Sequence, residues 1–169
     1  MVWLHCTYME TACYRPIAVV RSPFTDEAGM PIQSVTAEGI EGQVEVFPEY
    51  AEGLADLGGF SHLILLCHLH RVRGSALKVK PFLDTQERGV FATRSPKRPN
   101  PIGLTIVRLH RVQDTVLHIS ELDVLDGTPV LDIKPYVPRF DVRESEKIGW
   151  FAGQLGKLET TRSDDRFKK

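Results

Sequence analysis

The stretch FATRSPKRPNPIGLTIVRL, residues 91–109, sets three prolines among Arg94, Lys97 and Arg98, just ahead of an apolar run. Pro96, Pro99 and Pro101 fix their own φ angles and push Ser95, Arg98 and Asn100 toward extended backbone. The loop is therefore largely ordered before anything binds, which lowers the cost of presenting its cations and Asn100 to an anionic ligand. Gly103 leaves room for another group to approach the backbone. Residues 88–113 carry six Lys/Arg and no Asp or Glu, while the remaining chain holds more acidic than basic side chains and the net charge is −1. A local cationic zone on a mildly acidic body suits a polyanion touching one face. Plainer readings are a solvated basic loop, a stiffened connection between strands, or a PxxP peptide ligand; the position of PKRP between strands argues against the last.

Two further constellations could carry chemistry. His62, His68 and His70 share one parity in SHLILLCHLHRV, so on a single strand they would face one side and could hold a metal. No carboxylate partner accompanies them, and hydrogen-bonded core or cleft histidines are the commoner outcome. LDGTP, residues 125–129, reads locally as an Asp-Gly hairpin turn. The polar, proline-bearing DIKPYVPRFD that follows is unusual for a simple strand, and a carboxylate with several amides at a rim suits a small polar ligand. No G-x-G-x-x-G after a strand, P-loop, G-x-S-x-G or H-E-x-x-H is present, so the usual dinucleotide, nucleoside-triphosphate, serine-hydrolase and zincin chemistries lose support.

The elements that must position these residues are mostly strands. YRPIAVV (14–20) and GQVEVF (42–47) read as strands, separated by a long turn-rich loop at 21–33, and EYAEGLADLGGF (49–60) as one helical turn. SHLILLCHLHRV reads as a central strand. GVFATRS, IGLTIVRLHRV, TVLHISELDVL and VLDIKPYV form a series of strand-like segments with short connections, which favours antiparallel neighbours. RESEKIGWFAGQLGKLE (143–159) places Ile148, Phe151, Leu155 and Leu158 near one helical face, although three glycines weaken it. The expected architecture is mainly β, a small antiparallel β-barrel over 14–142, with an N-terminal extension at 1–13 and a C-terminal helix and flexible tail at 143–169. No apolar run is long enough for a membrane helix, the start lacks a secretory signal, and three cysteines cannot all pair, so a cytoplasmic protein without a disulfide framework is expected.

YRPIAVVRSPF, FSHLILLCHLH, GVFATRSPKRPNPIGLTIVRL and LDGTPVLDIKPYVPRFD together resemble the TrmO family, also called TsaA-like or YaeB-like, over about residues 14–142. The order of FATRS, RPNPIG and DGTP..DIKPY carries the resemblance. It implies a small non-Rossmann β-barrel methyltransferase, working as a homodimer with its site near the subunit interface. The implied reaction uses S-adenosyl-L-methionine, without metal, to methylate N6 of N6-threonylcarbamoyladenosine beside the tRNA anticodon. The family's cofactor contacts would fall on Pro31, Ile32, Gln33, His70, Arg71, Arg94, Leu104, Leu125, Asp126, Gly127 and Thr128. Ile32 stands where better-known members carry Arg. Lys97, Arg98, Lys134 and Arg139 are the candidates for RNA phosphates in the anticodon stem-loop, and Asn100 for orienting the N6 group. Asp126, His70 and Tyr136 are open candidates for accepting the proton, anchoring the cofactor or stacking. One branch of the family carries a further C-terminal tRNA-holding domain, and this sequence is too short for it. Two other classes stay open: a noncatalytic RNA-binding barrel, and a metal-dependent barrel enzyme using His62, His68 and His70.

Overall fold

A computed structural model describes residues 11–167. The expected extension at 1–13 therefore lies almost wholly outside the described residues. Eight strands form: β1 (Ala18–Arg21), β2 (Glu41–Val46), β3 (His62–His68), β4 (Lys78–Val79), β5 (Arg88–Gly89), β6 (Ile102–Gln113), β7 (Val116–Ser120) and β8 (Pro129–Pro135). Six close into an antiparallel barrel in the order β1-β2-β7-β6-β3-β8, while β4 and β5 pair as a separate ribbon.

Alternation along the strands explains the closure. Leu63, Leu65 and Cys67 of β3 point inward, as do Thr105, Val107 and Leu109 of β6, and they meet Val20, Val44, Leu117, Ile119 and Val130 in one core. Each fully buried Leu or Ile there contributes about 2 kcal/mol. Gly42 is required by close packing, since a Cβ on it would lie 2.5 Å from Leu122 Cδ2 and 2.6 Å from the Arg21 carbonyl oxygen. Gly103 is approached by Leu69, whose amide donates to the Pro101 carbonyl at 2.8 Å.

Three local expectations need correction. GVFATRS is a two-residue strand followed by a 3-10 turn, Val90–Ala92, because the Thr93 hydroxyl and the Arg98 guanidinium both donate to the Val90 carbonyl and curl the chain. The C-terminal helix does not form. After the one-turn α1 (Pro138–Asp141) the chain takes 3-10 turns at Gly149–Gly153 and Leu155–Lys157, consistent with glycine at 149, 153 and 156, the first of them at φ +61°. The tail is not loose over 160–167. It runs back across the barrel end as a strap: a β-bridge joins Pro31 to Arg162, and Phe167 is buried against Val79 and Val90.

Candidate functional site

The proline loop is braced as its sequence suggests. Thr93 and Ser95 are buried; the Ser95 amide donates to Thr93 Oγ1 at 3.2 Å and the Lys97 amide to Ser95 Oγ at 3.3 Å. Arg98 serves the loop itself, its Nη1 donating to the carbonyls of Val90 (3.1 Å) and Thr93 (2.8 Å). Lys97, half-buried, lines a shallow cavity together with Lys78, Lys80 and Arg166 and the acidic Glu87, Asp164 and Asp165. Lys134 is paired with Asp132 at 2.6 Å, and Arg139 lies on the exposed α1.

A second cavity, of about 500 Å³, opens at the barrel end where β3 finishes and β6 begins. Pro31, Ile32 and Gln33 reach it from the early loop, His70 and Arg71 from the turn after β3, Arg94 from the proline loop and Leu125 from the segment before β8. Two cations hold the early loop in place: Arg71 Nη1 donates to the Thr25 carbonyl and Arg94 Nη1 to Gln33 Oε1, both at 2.7 Å. His70 is held below its ordinary pKa by burial and by its neighbours Arg71 and His68, so its imidazole is neutral near pH 7.

The other candidates fall elsewhere. Asp126 Oδ1 accepts the Ser22 amide at 3.1 Å while its own amide donates to Phe24, and Gly127 N donates to Val20; this turn clasps the early loop, and its residues do not line the cavity. Gly127 takes φ +74°, and Thr128 is buried. Leu104 lies on the outer wall, 54% exposed, opposite Leu66 in the β3–β6 ladder. With Ile64, Ile102 and Ile106 it makes an apolar strip on the barrel's outside. Asn100 is exposed beside the start of β6. Tyr136 pairs its backbone with His62 and meets that ring edge-on at the start of β3, roughly 20 Å along the strand from its His68 end. Within one chain it does not line this cavity.

The three histidines do not form a cluster. His62 and His68 sit at opposite ends of β3, His70 lies beyond the strand, and among the described residues no three His, Cys, Asp or Glu side chains converge as metal ligands.

Sequence reasoning missed several cavity residues. Ile148, Trp150, Phe151, Leu155 and Leu158 of the C-terminal strap form one wall, with Trp150 stacked on Phe151 and its Nε1 donating to the Ala92 carbonyl at 2.8 Å. Their aromatic and aliphatic character was visible, but a helix was expected to hold them. Asp123 also lines the cavity. Its Oδ1 is occluded without a hydrogen bond of good geometry, the Thr105 hydroxyl and the Ser34 amide lie beside the carboxyl, and burial raises its pKa to about 6. A carboxylate between the buried Leu122 and Val124, two residues before LDGTP, was the available signal.

Comparison with known proteins places these features in a family. The family model of the tRNA-methyltransferase O N-terminal domain matches residues 19–142. A probable S-adenosyl-L-methionine-binding protein of Pyrococcus abyssi is 54% identical over 155 residues, covering 92% of this chain and 84% of that protein. The tRNA (adenine(37)-N6)-methyltransferase of Escherichia coli is 36% identical, over 77% of this chain and 60% of its own length. The crystal structure of TrmO from Pseudomonas aeruginosa superposes with a TM-score of 0.70 at 37% identity, over 83% of this chain and 62% of that one. The chain thus spans less than two thirds of these last two relatives.

Proposed function

We propose, for a chain that belongs to the tRNA-methyltransferase O family, that it is a methyltransferase that uses S-adenosyl-L-methionine to methylate N6 of an adenosine in tRNA. The specific target in this reading is N6-threonylcarbamoyladenosine beside the anticodon. One observation carries it: four separate segments bring Pro31, Ile32, Gln33, His70, Arg71, Arg94 and Leu125 around a single cavity. The cavity fits the cofactor chemically. Its volume is in the range of small-molecule sites, its apolar wall of Trp150, Phe151 and Phe82 suits a heterocycle, and an arginine and a buried carboxylate suit charged ends.

When bound, the cofactor supplies a methyl group already activated on a sulfonium. The protein's part is then placement, exclusion of water and removal of one proton. The attacking N6 is a poor nucleophile because its lone pair is delocalised into the ring and the carbamoyl group, and its proton must leave as the N–C bond forms. Neutral His70 is the cavity residue suited to accept that proton, since Asp126 is engaged with Ser22. Lys97, with Lys78 and Lys80 beside it, supplies charge for the RNA backbone, and Asn100 at the loop edge is free to orient the base.

The working form in this reading is a homodimer in the cytoplasm. The outer strip of Ile64, Leu66, Ile102, Leu104 and Ile106 supports the pairing of two barrels. Among the described residues no helix is long and apolar enough to cross a membrane.

Calorimetry with S-adenosyl-L-methionine on metal-free protein tests the reading against its alternatives. Binding at near one equivalent per chain supports the methyltransferase. Salt-dependent tRNA binding without cofactor binding would identify a noncatalytic RNA-binding barrel, and activity that vanishes with chelator would identify a metal enzyme.

A further inference from the structure

We propose that Asp123 and Arg94 form a clamp for the α-amino-acid end of the cofactor, Asp123 taking its ammonium and Arg94 its carboxylate. The inference rests on the cofactor reading above and assigns to Asp123 a role that neither the resemblance nor the fold gives it.

The starting point is a buried carboxylate that forms no ion pair among the described residues. Asp123 leaves the barrel just after β7, between Leu122 and Val124, whose side chains are buried in the core and fix its backbone. Its Oδ1 is occluded and accepts no hydrogen bond of good geometry. Thr105 Oγ1, inside the barrel on β6, is buried beside it, with no hydrogen bond of good geometry between them. The Thr105 hydroxyl and the Ser34 amide lie near enough to ease the carboxyl's ionisation, and Arg94 adds attraction from the cavity mouth, yet burial outweighs all three. A buried carboxylate so placed is costly until a cation meets it.

Among the described residues Arg94 is the cation whose charge reaches Asp123, and it is committed in part to Gln33 through one Nη. Arg94 lines the same cavity as Asp123, and its guanidinium has donors beyond the one that meets Gln33. An occupant that satisfies both residues carries one positive and one negative group. An α-amino acid is such a group, and the methionine portion of the cofactor ends in one. A purely adenosine-like ligand would leave Asp123 without an ion pair, as before.

This gives a test on binding alone. Calorimetry compares S-adenosyl-L-methionine, S-adenosylhomocysteine, which keeps the amino-acid end, and 5′-methylthioadenosine, which lacks it, on the wild-type chain and on Asp123→Asn. Wild type should bind the first two at least about tenfold tighter than the third. Asp123→Asn should lose about tenfold or more for the first two and change less than about twofold for methylthioadenosine. Wild type binding all three alike would overturn the clamp on the unmodified chain, even if the variant fails to fold. So would Asp123→Asn with unchanged S-adenosyl-L-methionine affinity, or an equal loss for all three ligands. If wild type binds none of them, the cofactor reading itself has failed, a distinct result.

Discussion

Ser163 and Met30 lie 133 residues apart and are paired like neighbouring strands: the Ser163 amide donates to the Met30 carbonyl at 3.0 Å and the Met30 amide to Ser163 Oγ at 2.9 Å. The Gly29 amide donates to the Ser163 carbonyl at 2.9 Å. Through this pairing the C-terminal strap fastens the early loop that brings Pro31, Ile32 and Gln33 to the cavity. Ser163→Ala removes the hydroxyl contacts and leaves the part-buried Met30 amide unsatisfied. The expected cost is about 1–2 kcal/mol, a fall of roughly 2–8 °C in Tm, with weaker cofactor binding. Thermal melts and calorimetry on the variant check both.

Trp150 anchors the same strap to the Ala92 carbonyl and stacks on Phe151 at the cavity wall. Trp150→Ala is expected to weaken S-adenosyl-L-methionine binding by about tenfold, from lost aromatic surface and a lost hydrogen bond. In a Trp3→Phe background, where Trp150 is the sole tryptophan, cofactor binding should change the fluorescence. No change at saturating cofactor would place the heterocycle elsewhere.

The barrel was legible in its strands and their connections. GQVEVF alternates like a half-buried strand, the unbroken apolar run at 63–67 reads as a central strand from its length and flanking glycines, and short connections such as Gln113–Asp114 indicated antiparallel neighbours. The braced proline loop could also be read, because proline acts locally. The strap could not. Its turns are held by contacts with Met30, Ala92 and Val90 far away in sequence, which no periodicity reports. Tyr136 was drawn to the site by its position after LDGTP, but β8 runs antiparallel to β3 and carries it to the other end of the barrel. Leu104 followed the motif correctly to β6, while the alternation that buries Thr105 turns it outward.

Asp123 gives a pH prediction with a definite sign. Its folded carboxyl titrates near 6, above the ordinary value of 3.8, so folding favours its protonated form and this contribution to stability is lost as pH rises through 6. Asp123→Asn should therefore be at least as stable as wild type at pH 7.5, with Tm raised by about 2–4 °C for each kcal/mol recovered. Cofactor binding runs the other way. The clamp needs the carboxylate, so wild-type affinity should fall as pH drops below about 6, toward tenfold per unit, and Asp123→Asn should lose that step. The other titratable groups near it are Arg94, Cys67, whose thiol is pushed up to about 12, and His70 in the same cavity, held low by burial. Calorimetry from pH 5 to pH 8 on both proteins measures the step.

Leu104 on the outer strip tests the pairing of barrels. Leu104→Arg places a charge among Leu66, Ile102 and Ile106. The wild-type chain should run as a dimer in light scattering and the variant as a folded monomer with reduced cofactor affinity. A monomeric wild type with full affinity would remove the interface.

Lys97 lies half-buried on the braced loop, and Lys97→Gln should weaken tRNA binding while reducing the slope of log K against log salt by about one. Filter binding at several salt concentrations provides both numbers, and an unchanged slope would take Lys97 off the RNA path.

The most direct measurement is nucleoside mass spectrometry of tRNA isolated from cells lacking this chain's gene, before and after incubation with purified protein and S-adenosyl-L-methionine. The expected result is conversion of N6-threonylcarbamoyladenosine to a species one methyl group heavier, with the added methyl on N6. Unchanged threonylcarbamoyladenosine, together with no methyl incorporation elsewhere in the tRNA, would contradict the assignment.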